Sequence, residues 1–175
     1  MAATPRGEKG FSTVELTVVL AVAAAMITAT LHTADRMLPR LRARSAAEDL
    51  ASATRTTRVQ AIRGRSSQVM AFDQARGRYT VVRGGYGASA FEHVLHALPK
   101  GIRFTTPSGA GDPVTAVPPA GMAAAVEYTD RGRLRSSSVP AYIHVGDPKR
   151  EIFWRVALDL TGSVRVERWT QGRWQ

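Results

Sequence analysis

One carboxylate sits where water is scarce. Glu15 lies in an apolar run that extends from Phe11 to Leu31 and contains no other formal charge. Ionisable groups in such segments are costly, face other protein rather than lipid, and find a partner there. A chain cut after Gly10 would supply one, because Phe11 would then carry a free amine, with a reference pKa near ~8. That amine could meet the Glu15 carboxylate one helical turn along the same chain or on a neighbouring chain. Two other residue groups invite a chemical reading. Four histidines occur, His32, His93, His96 and His144, and the turn Arg131-Gly132-Arg133-Leu134-Arg135 carries three guanidinium groups. His93 and His96 have the spacing of a metal pair, but Glu92 is the one acidic residue beside them. With no cysteine in the chain, neither a thiolate metal site nor a disulfide can form. The histidines have no Ser, Cys or carboxylate partner at a recognisable catalytic spacing, and no nucleophile-elbow or metal-hydrolase signature is present. Gly84-Gly85-Tyr86-Gly87 is not followed by the Lys-Ser or Lys-Thr of a phosphate loop. The sequence therefore reads as a non-enzyme with no cofactor and no metal.

The elements that must position these residues follow from periodicity. As a helix, Phe11 to Leu31 measures about 31 Å, close to the hydrocarbon thickness of a bilayer. An ordinary signal anchor with a stray Glu, and a secretory signal cleaved near Ala23-Ala24-Ala25 or Ala29, are the competing readings. From Thr33 to about Arg63 the helix continues, with Leu38, Leu41, Ala46, Leu50, Ala53 or Thr54, Thr57 and Ala61 as the expected buried stripe. Pro39 removes a backbone donor within it and is expected to kink it. The arginines between these positions read as a solvated face. Beyond Gly64 the period becomes alternating. Strands are expected at residues 68–72, 78–83, 93–98, 102–104, 124–128, 139–145, 151–158 and 163–169. In the seventh of these, Ile152, Trp154, Val156 and Leu158 should face the core. Residues 106–121 hold four of the nine prolines and are expected to form a long loop without strand pairing. The last third reads as an antiparallel meander covered by the amphipathic half of the helix.

Taken in register, Gly10, Phe11 and Glu15 resemble the cleavage and methylation signal of type IV prepilins and pseudopilins. In that signal a basic leader ends in Gly, the mature chain starts at Phe or Met, and Glu stands fifth. Two softer stretches, Thr57-Arg58-Val59-Gln60-Ala61-Ile62 and Leu98-Pro99-Lys100-Gly101, resemble the GspH/FimT group of minor pseudopilins and pilins. The resemblance implies an α+β, type IV pilin-like fold, with a long N-terminal helix packed on a C-terminal antiparallel β-sheet domain. It also implies four segments: residues 1–10 as leader, 11–31 as transmembrane helix, 32–64 as its periplasmic continuation, and 65–175 as a β-rich periplasmic domain. Gly10 would then mark cleavage by a prepilin peptidase, Phe11 would be N-methylated, and Glu15 would register an incoming subunit against the filament. The implied location is the bacterial inner membrane, single-pass. Charge alone does not orient the span, because Arg36, Arg40, Arg42 and Arg44 follow it while Arg6 and Lys9 precede it.

The formal net charge of +10 asks for an acidic partner or a large solvated surface. Two functions fit the resemblance. One is a minor pseudopilin of a type II secretion system, assembling with other pseudopilins into a short periplasmic filament that exports folded proteins. The other is a FimT-like minor type IV pilin, taking part in pilus assembly or in DNA binding and uptake. In the latter group a C-terminal Gly-Arg-x-Arg motif meets phosphates. Here its letters fall at Arg131-Gly132-Arg133-Leu134-Arg135, before the last strands, and partial forms fall at Arg165 and Arg173. Arg131, Arg133, Arg135, Arg165 and Arg173 are thus the candidate DNA contacts.

Overall fold

In a computed structural model, the described residues are 12–83, 94–109, 111–115, 124–135 and 140–175, with side chains undescribed at 31–36, 83 and 94. The N-terminal unit, through Leu38, is the first part of a single helix, α1 (Thr13–Gly64). Ser12 caps it: its carbonyl accepts from the Leu16 amide at 3.1 Å and its hydroxyl from the Val14 amide at 3.4 Å. With Glu15 three residues on, Ser12-x-x-Glu15 also has the letters of a capping box, and the helix dipole favours a carboxylate in this first turn. Thr13–Thr30 is long and apolar enough to cross a membrane. Thr17, Thr28 and Thr30 return their hydroxyls to helix carbonyls at 2.8 Å, which makes them tolerable in an apolar setting.

The second unit runs from Pro39 to Gln175. The stretch of α1 within it buries Ala43, Ala46, Ala47, Leu50, Ala51, Thr54, Thr57 and Ala61, a spacing of three and four that keeps one face inward. Leu38 and Leu41 depart from the expected stripe, being 46% and 60% exposed. Helical geometry explains the difference: at about 100° per residue, Leu41 lies about 180° from Leu50, whereas Ala43 and Pro39 fall within about 20° of it. Pro39 is accordingly buried and does not end the helix. Small side chains on the buried face let the helix approach the strands closely. The Thr54 and Thr57 hydroxyls, fully buried, bond back to the Leu50 and Ala53 carbonyls at 2.6 and 2.8 Å, so neither is left unpaired in the core. The helix ends in a Schellman arrangement, with Ser66 N–H donating to Ala61 O and Arg65 N–H to Ile62 O. Arg65 takes the left-handed position at φ 46°.

Among the described residues ten strands follow: β1 (Gln68–Asp73), β2 (Arg78–Arg83), β3 (Val94–Ala97), β4 (Arg103–Phe104), β5 (Ala125–Tyr128), β6 (Leu134–Arg135), β7 (Ala141–Asp147), β8 (Ile152–Leu158), β9 (Val164–Thr170) and β10 (Arg173–Trp174). All pairs are antiparallel, but they form two sheets rather than one meander. The first has the order β3-β2-β1-β5-β6 and the second β10-β9-β8-β7-β4. The split arises because β5 pairs with β1, far back in the chain, while β7 begins a second ladder with β4. Alternation along β8 is as expected: Ile152, Trp154, Val156 and Leu158 all join the main core. Phe153 and Ala157 on the opposite face are buried too, so this central strand is covered on both sides. In the 106–121 stretch, residues 110 and 116–121 lie outside the described residues, and residues 113–115 do pair with a strand, contrary to expectation. After β4 the chain leaves the edge of β7 and returns to it, where Pro113 O accepts from His144 N–H at 2.8 Å and Thr115 N–H donates to Tyr142 O at 2.9 Å. Val114, between them, bridges to Ile143 and is 2% exposed. Proline lacks an N–H but supplies its carbonyl here, so Pro113 does not prevent this pairing.

Two turns bind the sheets to the helix. The 130–133 turn and the 159–162 turn meet where Leu134 N–H donates to Leu160 O, and the Arg58 Nε–H of α1 donates to Gly132 O at 3.0 Å. Gly132 and Gly162 have φ of 71° and 79°. A side chain at Gly132 would meet Ile62 at 2.6 Å, and one at Gly162 would meet Gly132 O at 2.6 Å. Both positions therefore require glycine twice over, for backbone conformation and for space. Arg55 adds a further tie, donating to Val164 O at 3.1 Å.

Candidate assembly helix and arginine surfaces

Gly10 and Phe11, the expected cleavage junction, lie outside the described residues. Glu15 stands in the first turn of α1 and is exposed, with apolar neighbours Val14, Leu16, Val18 and Val19 exposed beside it. An exposed apolar helix with a carboxylate at its head is a surface that water would not leave bare, and it calls for lipid or other protein.

The five candidate arginines do not make one surface. Arg131 and Arg133 are exposed on either side of Gly132, on the turn that Arg58 holds. Arg135 points its guanidinium at Glu127, 3.3 Å away and 2% exposed. Among the described residues the other oxygen of that carboxylate has no hydrogen-bond partner, so Arg135 is engaged in neutralising a buried charge. Arg165 begins β9 near Asp159, whose carboxyl is held below its ordinary range by the Thr161 hydroxyl, the Ser163 amide and, to a smaller degree, Arg165. Arg173 pairs with Thr170 on the last hairpin, about 17 Å along β9 from Arg165 at ordinary strand rise. The structure thus leaves Arg131 and Arg133 as an adjacent pair, engages Arg135 with Glu127, and sets Arg173 at the far end of β9 from Arg165.

The histidines also separate. His93 lies outside the described residues; His96 stacks on Tyr79, ring centroids 4.9 Å apart and planes 12° apart. His144 shares a face with Tyr142, as the alternation implies, at 5.9 Å. It is 7% exposed, and its Nδ1 lies 3.1 Å from Pro113 O. Burial pushes its pKa down, against the Pro113 hydrogen bond and with help from Arg155, so the ring is neutral at physiological pH. Among the described residues no group of three His, Cys, Asp or Glu side chains could hold a metal ion.

Sequence reasoning missed the setting of Arg155. Its guanidinium lies 4.2 Å from the Tyr142 ring centre and 4.6 Å from that of Trp174, and it pairs with Glu167 at 2.6 Å. The signal was present in the alternation, since residues 155 and 167 are directly opposed in the β8–β9 register and residues 142 and 155 share a face. This cation–π and ion-pair cluster ties the C-terminal hairpin to the sheet, and Arg168 and Gln175 close it with reciprocal backbone bonds of 2.7 and 2.9 Å.

No protein-family model and no curated protein sequence matches the chain. Solved structures do match. The type IV minor pilin FimU of Pseudomonas aeruginosa superposes over 78% of this chain and 94% of its own, with a TM-score of 0.53 at 14% identity. The fold is pilin-like. A second crystal form of FimU covers 75% of this chain and 96% of its own (TM-score 0.49, 14% identity). The minor pseudopilin EpsH from the type 2 secretion system of Vibrio cholerae covers 71% of this chain and 95% of its own (TM-score 0.49, 12% identity). In this pilin-like fold the helix packs on antiparallel β-sheets, the α+β arrangement expected from the alternation.

Proposed function

We propose that this chain is an assembly subunit of a pilin-type filament, anchored by α1 in the bacterial inner membrane with its β-rich domain in the periplasm. The observation that carries the reading is Glu15 in the first turn of an exposed, span-length apolar helix whose C-terminal half belongs to a pilin-like domain. Cleavage after Gly10 by a prepilin peptidase frees the Phe11 amine, which stays basic after N-methylation and pairs with a Glu15 carboxylate when a subunit docks. The partners are other pseudopilins or pilins in the same filament. Within that class, our reading is a minor pseudopilin of a type II secretion system. Deleting the gene should abolish release of folded enzymes into the medium while surface pili persist. Normal secretion with loss of pili would transfer the protein to the pilus.

The minor-pilin reading draws on FimU, itself a type IV minor pilin, and on the exposed Arg131 and Arg133. Two guanidinium groups flanking one glycine can reach successive phosphates. If they do, the Arg131→Ala, Arg133→Ala double variant binds duplex DNA more weakly, and the slope of log K against log salt falls by about two. Filter binding across a salt series reads both. Absence of binding by the intact protein removes DNA from its partners, and an unchanged slope in the variant removes Arg131 and Arg133 from the contact. Arg135 is unsuited to this test, because its removal leaves the buried Glu127 carboxylate uncompensated.

A further inference from the structure

Between the second half of α1 and the β2–β3 edge of the first sheet lies a cavity of about 620 Å³. Its origin is sequence: α1 presents Ala46, Ser52, Ala53 and Thr56 here, side chains too small to reach the strands and the Leu98-Pro99 turn opposite. Its polar lining combines one carboxylate with hydroxyls, an amide and an imidazole. Asp49, Thr56 and Gln60 come from the helix, and Tyr79 and His96 from the strands. Among the described residues no Lys or Arg lines it, in a chain with 24 of them against 14 acids. Asp49 is exposed and, among the described residues, has one weak hydrogen bond, from the Ser45 hydroxyl at 3.5 Å, and no ion pair. The stacked Tyr79 and His96 rings form one wall, and Val81, Leu98 and Pro99 add apolar surface. Burial, with a smaller effect of Asp49, pushes the Tyr79 phenol up, so it stays a neutral hydroxyl.

An anionic ligand would meet the Asp49 carboxylate with like charge, and a purely apolar one would leave it without an ion-pair partner. A ligand with an aliphatic stem and a cationic head suits this lining: the stem lies on Val81 and Leu98, and the head meets Asp49. We propose that this cavity is a socket for a lysine or arginine side chain presented by a neighbouring protein subunit. The choice of a protein source rests on the assembly reading above; the recognition chemistry does not. Because the socket is built from the domain alone, its occupancy is measurable without a filament, and its failure would leave the role of Glu15 untouched.

The test uses the full chain in detergent micelles with carbon-13-labelled methyl groups. It is titrated with Nα-acetyl-arginine N-methylamide, its neutral citrulline counterpart, and spermidine. The arginine compound should shift the Val81 and Leu98 methyl signals saturably, and the citrulline compound should bind about fivefold more weakly, the worth of one partly exposed ion pair. In Asp49→Asn the preference for arginine over citrulline should vanish while the thermal midpoint stays unchanged. Equal responses to arginine and citrulline, no saturable shift, or a preference that survives Asp49→Asn would each overturn the socket. Spermidine binding about tenfold more tightly than the arginine compound at the same methyl groups would overturn the protein source.

Discussion

Glu15→Leu should accumulate in the membrane at the normal level yet be nearly absent from sheared or cross-linked filaments. Both halves of that result come from one carboxylate. A charge in a membrane-spanning helix carries an insertion cost, about 2.5–3.5 kcal/mol at the helix centre and less toward an end such as the first turn that holds Glu15, so replacing it with leucine removes an insertion penalty. What disappears is the partner for the amine of a docking subunit. A charge-assisted hydrogen bond is worth about 2 kcal/mol, which corresponds to about a thirtyfold loss in docking equilibrium. Glu15→Gln, which keeps shape and one acceptor, should fall between wild type and leucine. If Glu15 served only with Ser12 as a helix cap, all three proteins would enter filaments equally, since losing a cap affects only the local helix end. Immunoblots of filament and membrane fractions decide between these outcomes.

Leu50→Ala should be the most damaging single truncation on the helix. Leu50 is 0% exposed and sits in the main core with Met70, Tyr128 and Ile143, and truncating such a leucine costs about 3 kcal/mol from lost transfer energy plus the cavity left behind. For a domain of this size the loss lowers the thermal midpoint by roughly 10 °C. Leu41→Ala is the control: at 60% exposure it should change stability by less than about 0.5 kcal/mol. Thermal unfolding followed by near-ultraviolet circular dichroism compares the two. A Leu41 variant as unstable as the Leu50 variant would contradict the assigned helix face.

The contrast between these two leucines shows how far sequence patterning reached. The helix, its end at Gly64 and the β1–β2 hairpin were legible because a change from a period of 3.6 to a period of two is local information. The buried face was misassigned only near Leu38 and Leu41. There hydrophobicity favoured leucine, whereas close helix–sheet packing selected Ala43 and Pro39. The division into two sheets was not legible, since it depends on β5 returning to β1 across more than fifty residues, a pairing that no local pattern encodes. Pro113–Thr115 was hidden for a related reason: a Pro- and Gly-rich loop can rejoin a sheet edge for three residues if a partner such as His144 faces it. In the arginine turn, letters alone could not separate Arg135 from Arg131 and Arg133. Its engagement with Glu127 comes from the β5–β6 register, which sets residues 127 and 135 opposite each other.

The central claim is that Gly10, Phe11 and Glu15 act together as a processed assembly signal. Mass spectrometry of the N-terminal peptide of protein extracted from its native membrane tests this most directly. The account predicts a chain that starts at Phe11 and carries one methyl group on its amine. An intact N-terminus, or a cut near Ala25 or Ala29 or beyond the apolar run, would contradict it.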